Sequence, residues 1–395
     1  MIGRYLARTL KSSWPRQISP STGLPAPGLL GGFFLPLLPG VALTAGVAWV
    51  GLRASDWIGE QLLGFDKSPV SGIMLAIVIG MTVGNVIRLP AAFGPGIRFS
   101  LAHLLRLGII LLGIRLGFGE AIRVGAVAIP LIAICVIAAI LIAYWLGRRL
   151  ALPSRMSILI AVGTSICGAT AIVATAPAIH AEEEETTYAI ANITVFGIIA
   201  MFLYPYLANL LFESDLSSAG RFLGTSIHET AQVAGSGLIY GQLFGGDTVL
   251  ETATITKLVR NVFMVVVIPL MAYLFHRRST GGQGAAKLNI LSLFPLFILG
   301  FILLAVVRTV GDTTLDSGMA YGVFDAATWK TLTSATIGWA ENFLAVAMAG
   351  VGLGTSFRQL CGLGPRPFYV GFGASVSVGA VSLLGIAGLK MIGLE

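Results

Sequence analysis

Residues 124–182 read VGAVAIPLIAICVIAAILIAYWLGRRLALPSRMSILIAVGTSICGATAIVATAPAIHAE. The first part, 124–147, is apolar throughout and long enough to cross a bilayer as a helix. Arg148, Arg149 and Arg155 interrupt it, and a second apolar run follows over 156–180. At the centre of that run stands Gly163-Thr164-Ser165-Ile166-Cys167-Gly168-Ala169-Thr170, where an unbroken membrane helix would carry Leu or Val. Glycine permits unwinding, which would free main-chain N–H groups to meet a ligand, and the hydroxyls add donors. The same residues would also suit a close helix crossing.

Working outward, similar runs lie near 31–52, 69–87, 101–118, 188–212, 222–245, 252–275, 288–308, 332–353 and 367–393. The expectation is an all-α membrane protein with eleven transmembrane helices. The composition agrees: 56% of the 395 residues are hydrophobic, 11% are charged, and the mean hydropathy is +0.88. Soluble domains carry about 25% charged residues, which excludes an ordinary globular protein. Continuous apolar runs exclude a β-barrel, whose strands alternate. No basic stripe interleaved with aromatics supports nucleic-acid binding, despite a net charge of +7. Three cysteines without metal spacing imply no disulfide framework, and no cofactor or metal is expected.

Residues 1–30, with Arg4, Arg8, Lys11 and Arg16, read as a basic cytoplasmic tail before a single membrane domain, 31–395. With the N-terminus inside and the C-terminus outside, fifteen of the 25 Lys and Arg fall on inner segments and six on outer ones. Glu182–Glu185 then falls outside. A cell inner membrane is the expected location.

The remaining four bases lie within spans: Arg106, Arg115, Lys257 and Arg260, with the acids Glu229 and Glu341. Ionisable groups at this depth cost roughly 2.5–3.5 kcal/mol each on insertion scales, so they usually face a polar interior. Arg115, near a span end, could instead snorkel to the headgroups. LLRLGIILL (104–112) and LVRNVFMVV (258–266) place Arg106 opposite Arg260 at an offset of 154. Allowing for a longer loop near Asp312–Asp325, that offset suggests a 5+5 inverted repeat, spans two to six (69–212) on spans seven to eleven (222–393), with 31–52 an added span. GTSI recurs at 163–166 and 224–227. If spans five and seven both cross, they run the same way, and the recurrence is not the inverted-repeat signature. His228 and Glu229 are candidate proton carriers or a structural pair. A zinc HExxH is absent, since Gln232 stands where the second histidine would be, and no enzyme is expected.

LLRLGIILLGIRL (104–116), GTSICGATAIVATAPAIHAE (163–182), HETAQVAGSG (228–237) and AMAGVGLGTSF (347–357) resemble the YeiH family of membrane proteins, which carries a sulfate-exporter label. The resemblance covers nearly the whole chain after the tail. It implies a relation to the cation–proton antiporter and bile-acid-type transporters, with inverted repeats and crossed, broken helices. Carried onto this chain, its motif positions are Arg106, Arg115, Ser165, Cys167, Gly168, His228, Glu229, Gln232, Lys257 and Arg260. Together with Thr170 they give the expected site for a small anion, with His228, Glu229 or Glu341 coupling a proton or Na+. The competing expectation is a cation/proton antiporter built on Glu229 or Glu341, and a homodimer remains an open assembly.

Overall fold

The computed structural model describes residues 35–63, 68, 70–213, 215–279, 293–315, 318–356, 364–391 and 393; the basic lead 1–30 lies outside the described residues. Apolar composition sets the element type, and among the described residues no strand forms. Seven helices are long and apolar enough to cross a membrane. In chain order the first elements are α1 (Leu38–Trp57), α2 (Gly72–Val86), the helical run α3 (Ala91–Arg115), α4 (Phe118–Arg149), α5 (Ser154–Ser165) and α6 (Ala169–Thr175). Next come α7 (Glu183–Phe212), α8 (Leu216–Ser226), α9 (Thr230–Phe244), α10 (Thr248–Val262) and α11 (Met264–Ser279). The chain closes with α12 (Phe297–Leu315), α13 (Ala326–Gly354) and α14 (Pro365–Met391).

Local chemistry sets several boundaries. Ser71, Asp215 and Asp325 cap α2, α8 and α13 by accepting the N–H of the residue three positions on. Glu182 and Glu185 form a capping box at the start of α7. A π-turn over Ser100–Leu104 interrupts α3 just before Arg106.

The decisive feature is the path of the fifth and seventh apolar segments. Gly220 of α8 lies against Val249 and Thr252, and Gly224 against Ala253 and Thr256, so α8 runs parallel to α10. Thr230 of α9 bonds Asn261, whereas Gly237 lies against Leu250, so α9 runs back along α10 in the opposite sense. Segment 216–244 is therefore a helical hairpin whose base closes where Gly246 meets Leu216.

Segment 154–179 does the same from the other end. Arg155 pairs with Glu182 at 3.8 Å, and Gly163 packs on Ile193, so α5 runs parallel to α7. Cys167 then meets Met264, while Ala178 meets His276, so α6 runs alongside α11, which continues α10. Because α10 is antiparallel to α7, α6 folds back along α5, and Ile172 packs onto Gly163. At 1.5 Å per residue the arms α5, α8 and α9 are about 16–22 Å long, roughly half of α7's 30 residues. The two hairpins enter from opposite ends of α7, and their tips meet near its middle.

This corrects two expectations. Segments 156–180 and 222–245 do not cross the molecule; each returns to the end it started from. The offset of 154 also fails: applied directly it carries 154–179 onto 308–333, and with a longer loop near Asp312–Asp325 allowed for it pairs this hairpin with α13, a continuous 29-residue helix. The nonapeptide match behind it reflects apolar helical composition, which unrelated membrane helices share.

Helices α1, α2, α3, α12 and α13 form one group, with backbones brought close by small residues: a Cβ on Gly80 would lie 2.7 Å from the Ala349 carbonyl. The hairpins, α4, α7, α10, α11 and α14 form the other.

Candidate functional site

The hairpin tips place two C-terminal and two N-terminal helix ends at one spot. Helix α5 ends at Ser165 and α8 at Ser226; α6 begins at Ala169 and α9 at Thr230. The two copies of GTSI are the two tips, and the intervening residues are Ile166-Cys167-Gly168 and Ile227-His228-Glu229. Gly168 has φ +76°, and a Cβ there would press on the Glu229 side chain, so only glycine fits this turn.

Lys257 and Arg260, one turn apart on α10, bind the C-terminal ends. The Lys257 ammonium donates to the carbonyls of Ile166 (2.7 Å), Ile227 (2.9 Å) and His228 (2.5 Å). Arg260 donates through Nε to Ser165 O (2.8 Å), through Nη1 to Thr225 O (2.6 Å) and Ile227 O (3.2 Å), and through Nη2 to Thr164 O. Both side chains are fully buried. Two cations thus meet the negative poles of two half-helices and satisfy carbonyls that helix ends leave open.

Glu229 serves the opposite poles. Its Oε1 accepts the Ala169 N–H of α6 at 3.4 Å, and its carboxylate and Gln232 form the capping box of α9. One carboxylate therefore lies against the N-termini of both second arms. Ala169, Glu229 and Thr230 are partly exposed and Thr170 is exposed, so this side of the junction opens outward from the protein interior.

Behind the tips the polar groups are buried and incompletely paired. The His228 Nε2 lies 2.5 Å from Ser375 Oγ of α14, and Thr225 Oγ1 lies 2.6 Å from Ser382 Oγ. Among the described residues Thr164 Oγ1, Ser226 Oγ, His228 Nδ1, Thr256 Oγ1 and Asn261 Oδ1 have no hydrogen-bond partner. Unpaired buried polar atoms are costly, and five of them gather at this junction.

Of the residues expected from sequence, Ser165, Cys167, Gly168, Thr170, His228, Glu229, Gln232, Lys257 and Arg260 all lie at this junction. Ser165 Oγ, however, donates to Val162 O of its own helix, and Cys167 is turned toward the Met264 sulfur. Neither faces the opening.

The other three do not join it. Arg106 is exposed on α3 and makes no hydrogen bond or ion pair with any described residue, so its expected sharing of a site with Arg260 is not met. Arg115 is drawn into an ion cluster instead of snorkelling. It binds Asp247, Glu251 (2.6 Å) and Glu341 (3.2 Å), beside a cavity of about 240 Å³ that Gln242 and Asn342 also line. That cluster ties α3 and α13 of one group to the α9–α10 turn of the other. Sequence reading missed Asn261, Ser375 and this clasp. Asn261 adjoins Arg260 and was a visible signal, but nothing in the sequence marked Ser375.

Comparison with known proteins now adds a family. Residues 39–371 match the model described as "Conserved hypothetical protein 698". A UPF0324 membrane protein of Fusobacterium nucleatum is 32% identical over 80% of this chain and 92% of its own length. Another, of Pseudomonas aeruginosa, is 34% identical over 84% of this chain and 88% of its own. A third, of Corynebacterium glutamicum, is 33% identical over 80% and 85%. The chain is accordingly a multi-pass membrane protein of the UPF0324 family, the one described as Conserved hypothetical protein 698.

Proposed function

We propose that this protein is a secondary transporter that carries a small anion across the cell inner membrane by alternating access, coupled to protons through Glu229. The observation that carries this reading is the meeting of two oppositely inserted hairpins at a polar, charged junction. Main chain that is not helical is tolerated at membrane depth only where it is buried in protein or lines a cavity. Two hairpins of opposite sense, each ending in GTSI, are an inverted pair, and inverted repeats are a recurring plan of secondary transporters with midplane sites. With the hairpins re-entrant, α1, α2, α3, α4, α7, α10–α11, α12, α13 and α14 make nine crossings, N-terminus inside and C-terminus outside.

The junction favours an anion on charge grounds. Lys257 and Arg260 give two buried positive charges against the single carboxylate of Glu229. The main-chain amides at the start of α9, with the Thr170 and Thr230 hydroxyls, lie on the open side. Glu229 occupies the place an incoming anion would take, so its protonation would remove the competing negative charge there and link the two movements. Sulfate and related oxyanions are the class that both this chemistry and the YeiH resemblance suggest. Glu341, bound to Arg115, is better placed to hold the two helix groups together than to carry an ion.

The partly buried carboxylate also supports a second reading, cation/proton antiport at Glu229. A flux assay in proteoliposomes separates the two. The expected result is uptake of one oxyanion from a panel, driven by a pH gradient and made pH-independent by Glu229→Gln. Sodium-driven proton flux with no anion requirement would sink the anion reading.

A further inference from the structure

Lys257 is an ammonium with no carboxylate bound to it among the described residues. It is fully buried, and all three of its N–H donors are spent on main-chain carbonyls, those of Ile166, Ile227 and His228. It therefore has no proton left with which to hold a substrate. The oxygens come from both hairpins, at the ends of α5 and α8, whose dipoles turn their negative poles toward the nitrogen. Clustered carbonyl oxygens of this kind replace the hydration shell of a monovalent metal cation in ion-selective sites. Arg260 repeats the pattern one turn on, binding four carbonyls of the same two tips.

We propose that the carbonyls of Ile166, Ile227 and His228 form a monovalent-cation site that the Lys257 ammonium permanently fills, so that the transporter runs without sodium or potassium. A diffusible ion in such a place would have to enter and leave in each cycle, and its gradient could drive the cycle. A tethered ammonium stays put, joining the tips whichever way the site faces. Coupling is left to a group that can exchange with solvent, and Glu229 is the ionisable side chain of the junction on its open side. The inference deepens the transport reading and rests on it for the consequence about coupling, but the site itself is tested without flux.

The test uses purified full-length protein in detergent, melted at equal ionic strength in choline, sodium, potassium or ammonium chloride. Wild type is expected to melt at the same temperature in all four, because its site is filled. Lys257→Ala is expected to melt several degrees lower in choline and to recover selectively in one of the smaller cations, since a ligand that binds only the folded state raises its stability. Choline is too large to enter. Selective, saturable stabilisation of the wild type by sodium or potassium overturns the proposal. So does a folded Lys257→Ala protein that is indifferent to all four salts. Lys257→Met keeps the bulk of the stem and serves as the second variant. Should neither variant fold, the wild-type measurement still decides, and wild-type anion flux unchanged on replacing sodium and potassium by choline is the supporting result. A protein that moves no anion under any condition sinks the transport reading and leaves the melting result standing.

Discussion

Arg155 and Glu182 lie 3.8 Å apart although the rest of α5 and all of α6 separate them in sequence. That pairing is possible only if residues 156–181 go out and return, and it fixes both ends of the first hairpin on one side.

Surface labelling tests this directly. In a background lacking native cysteines, Arg155→Cys and Glu182→Cys are expected to react with a membrane-impermeant thiol reagent from the same face. Asp215→Cys and Gly246→Cys, at the base of the second hairpin, are expected to react from the opposite face. Labelling of positions 155 and 182 from different faces would restore the eleven-crossing arrangement.

Gly168→Ala should cost about 1–2 kcal/mol, the penalty of a Cβ in a left-handed conformation. The added methyl also pushes on Glu229. The expected outcome is a folded protein with a lowered melting temperature and little or no flux. Flux at the wild-type rate would show that the tip geometry does not matter for transport.

Arg115→Ala would strand Glu251, which is nearly as buried as the arginine itself. Breaking such a buried pair costs about 3 kcal/mol. Because the arginine joins the two helix groups, the loss should also raise the reactivity of an Asn342→Cys probe in the adjoining cavity. A melting temperature unchanged by the substitution would remove the clasp from the account.

Asp215 sits at the base of the second hairpin, where it caps α8 and pairs with Lys390 of α14 at 2.6 Å. Burial by itself would push its carboxyl up, but the hydrogen bonds from Lys390 and Ser218 outweigh that and hold it below the usual carboxylate range. A carboxyl depressed in the folded state contributes stability above its unfolded value of 3.8 and loses that contribution as the pH falls through the lower folded value. Asp215→Ala is expected to cost about 1 kcal/mol at neutral pH through the lost cap, and Asp215→Asn less. Melting curves between pH 7 and acid, with the three proteins converging at low pH, are the check.

Much of the junction was legible beforehand because its chemistry is written in residue types. The Gly-Thr-Ser tips, Lys257, Arg260 and Glu229 stand out where lipid would favour Leu, and each lies at the hairpin tips. The use to which they are put was not legible. Lys257 and Arg260 read as anion ligands, yet they are bound to carbonyls, because a bent backbone inside an apolar body leaves acceptors that the nearest donors must satisfy. Arg106 read as their partner because an apolar nonapeptide matched, and that match carried no information about which face of α3 it lies on.

By itself the sequence determined the all-helical membrane class, the break within 163–170 and most of the polar groups that meet at the junction, since hydropathy and chain-breaking residues act locally. Only the tertiary structure decided that two of the apolar segments fold back. The arms of a hairpin have the same composition as the halves of a crossing helix. The two hairpins cancel in parity for every loop beyond residue 246; only 181–187 and 213–221 would change sides, and with Arg221 as their one basic residue the alternation of basic residues could not expose them. What distinguishes the two paths is packing against α7 and α10, a relation between residues far apart in the chain.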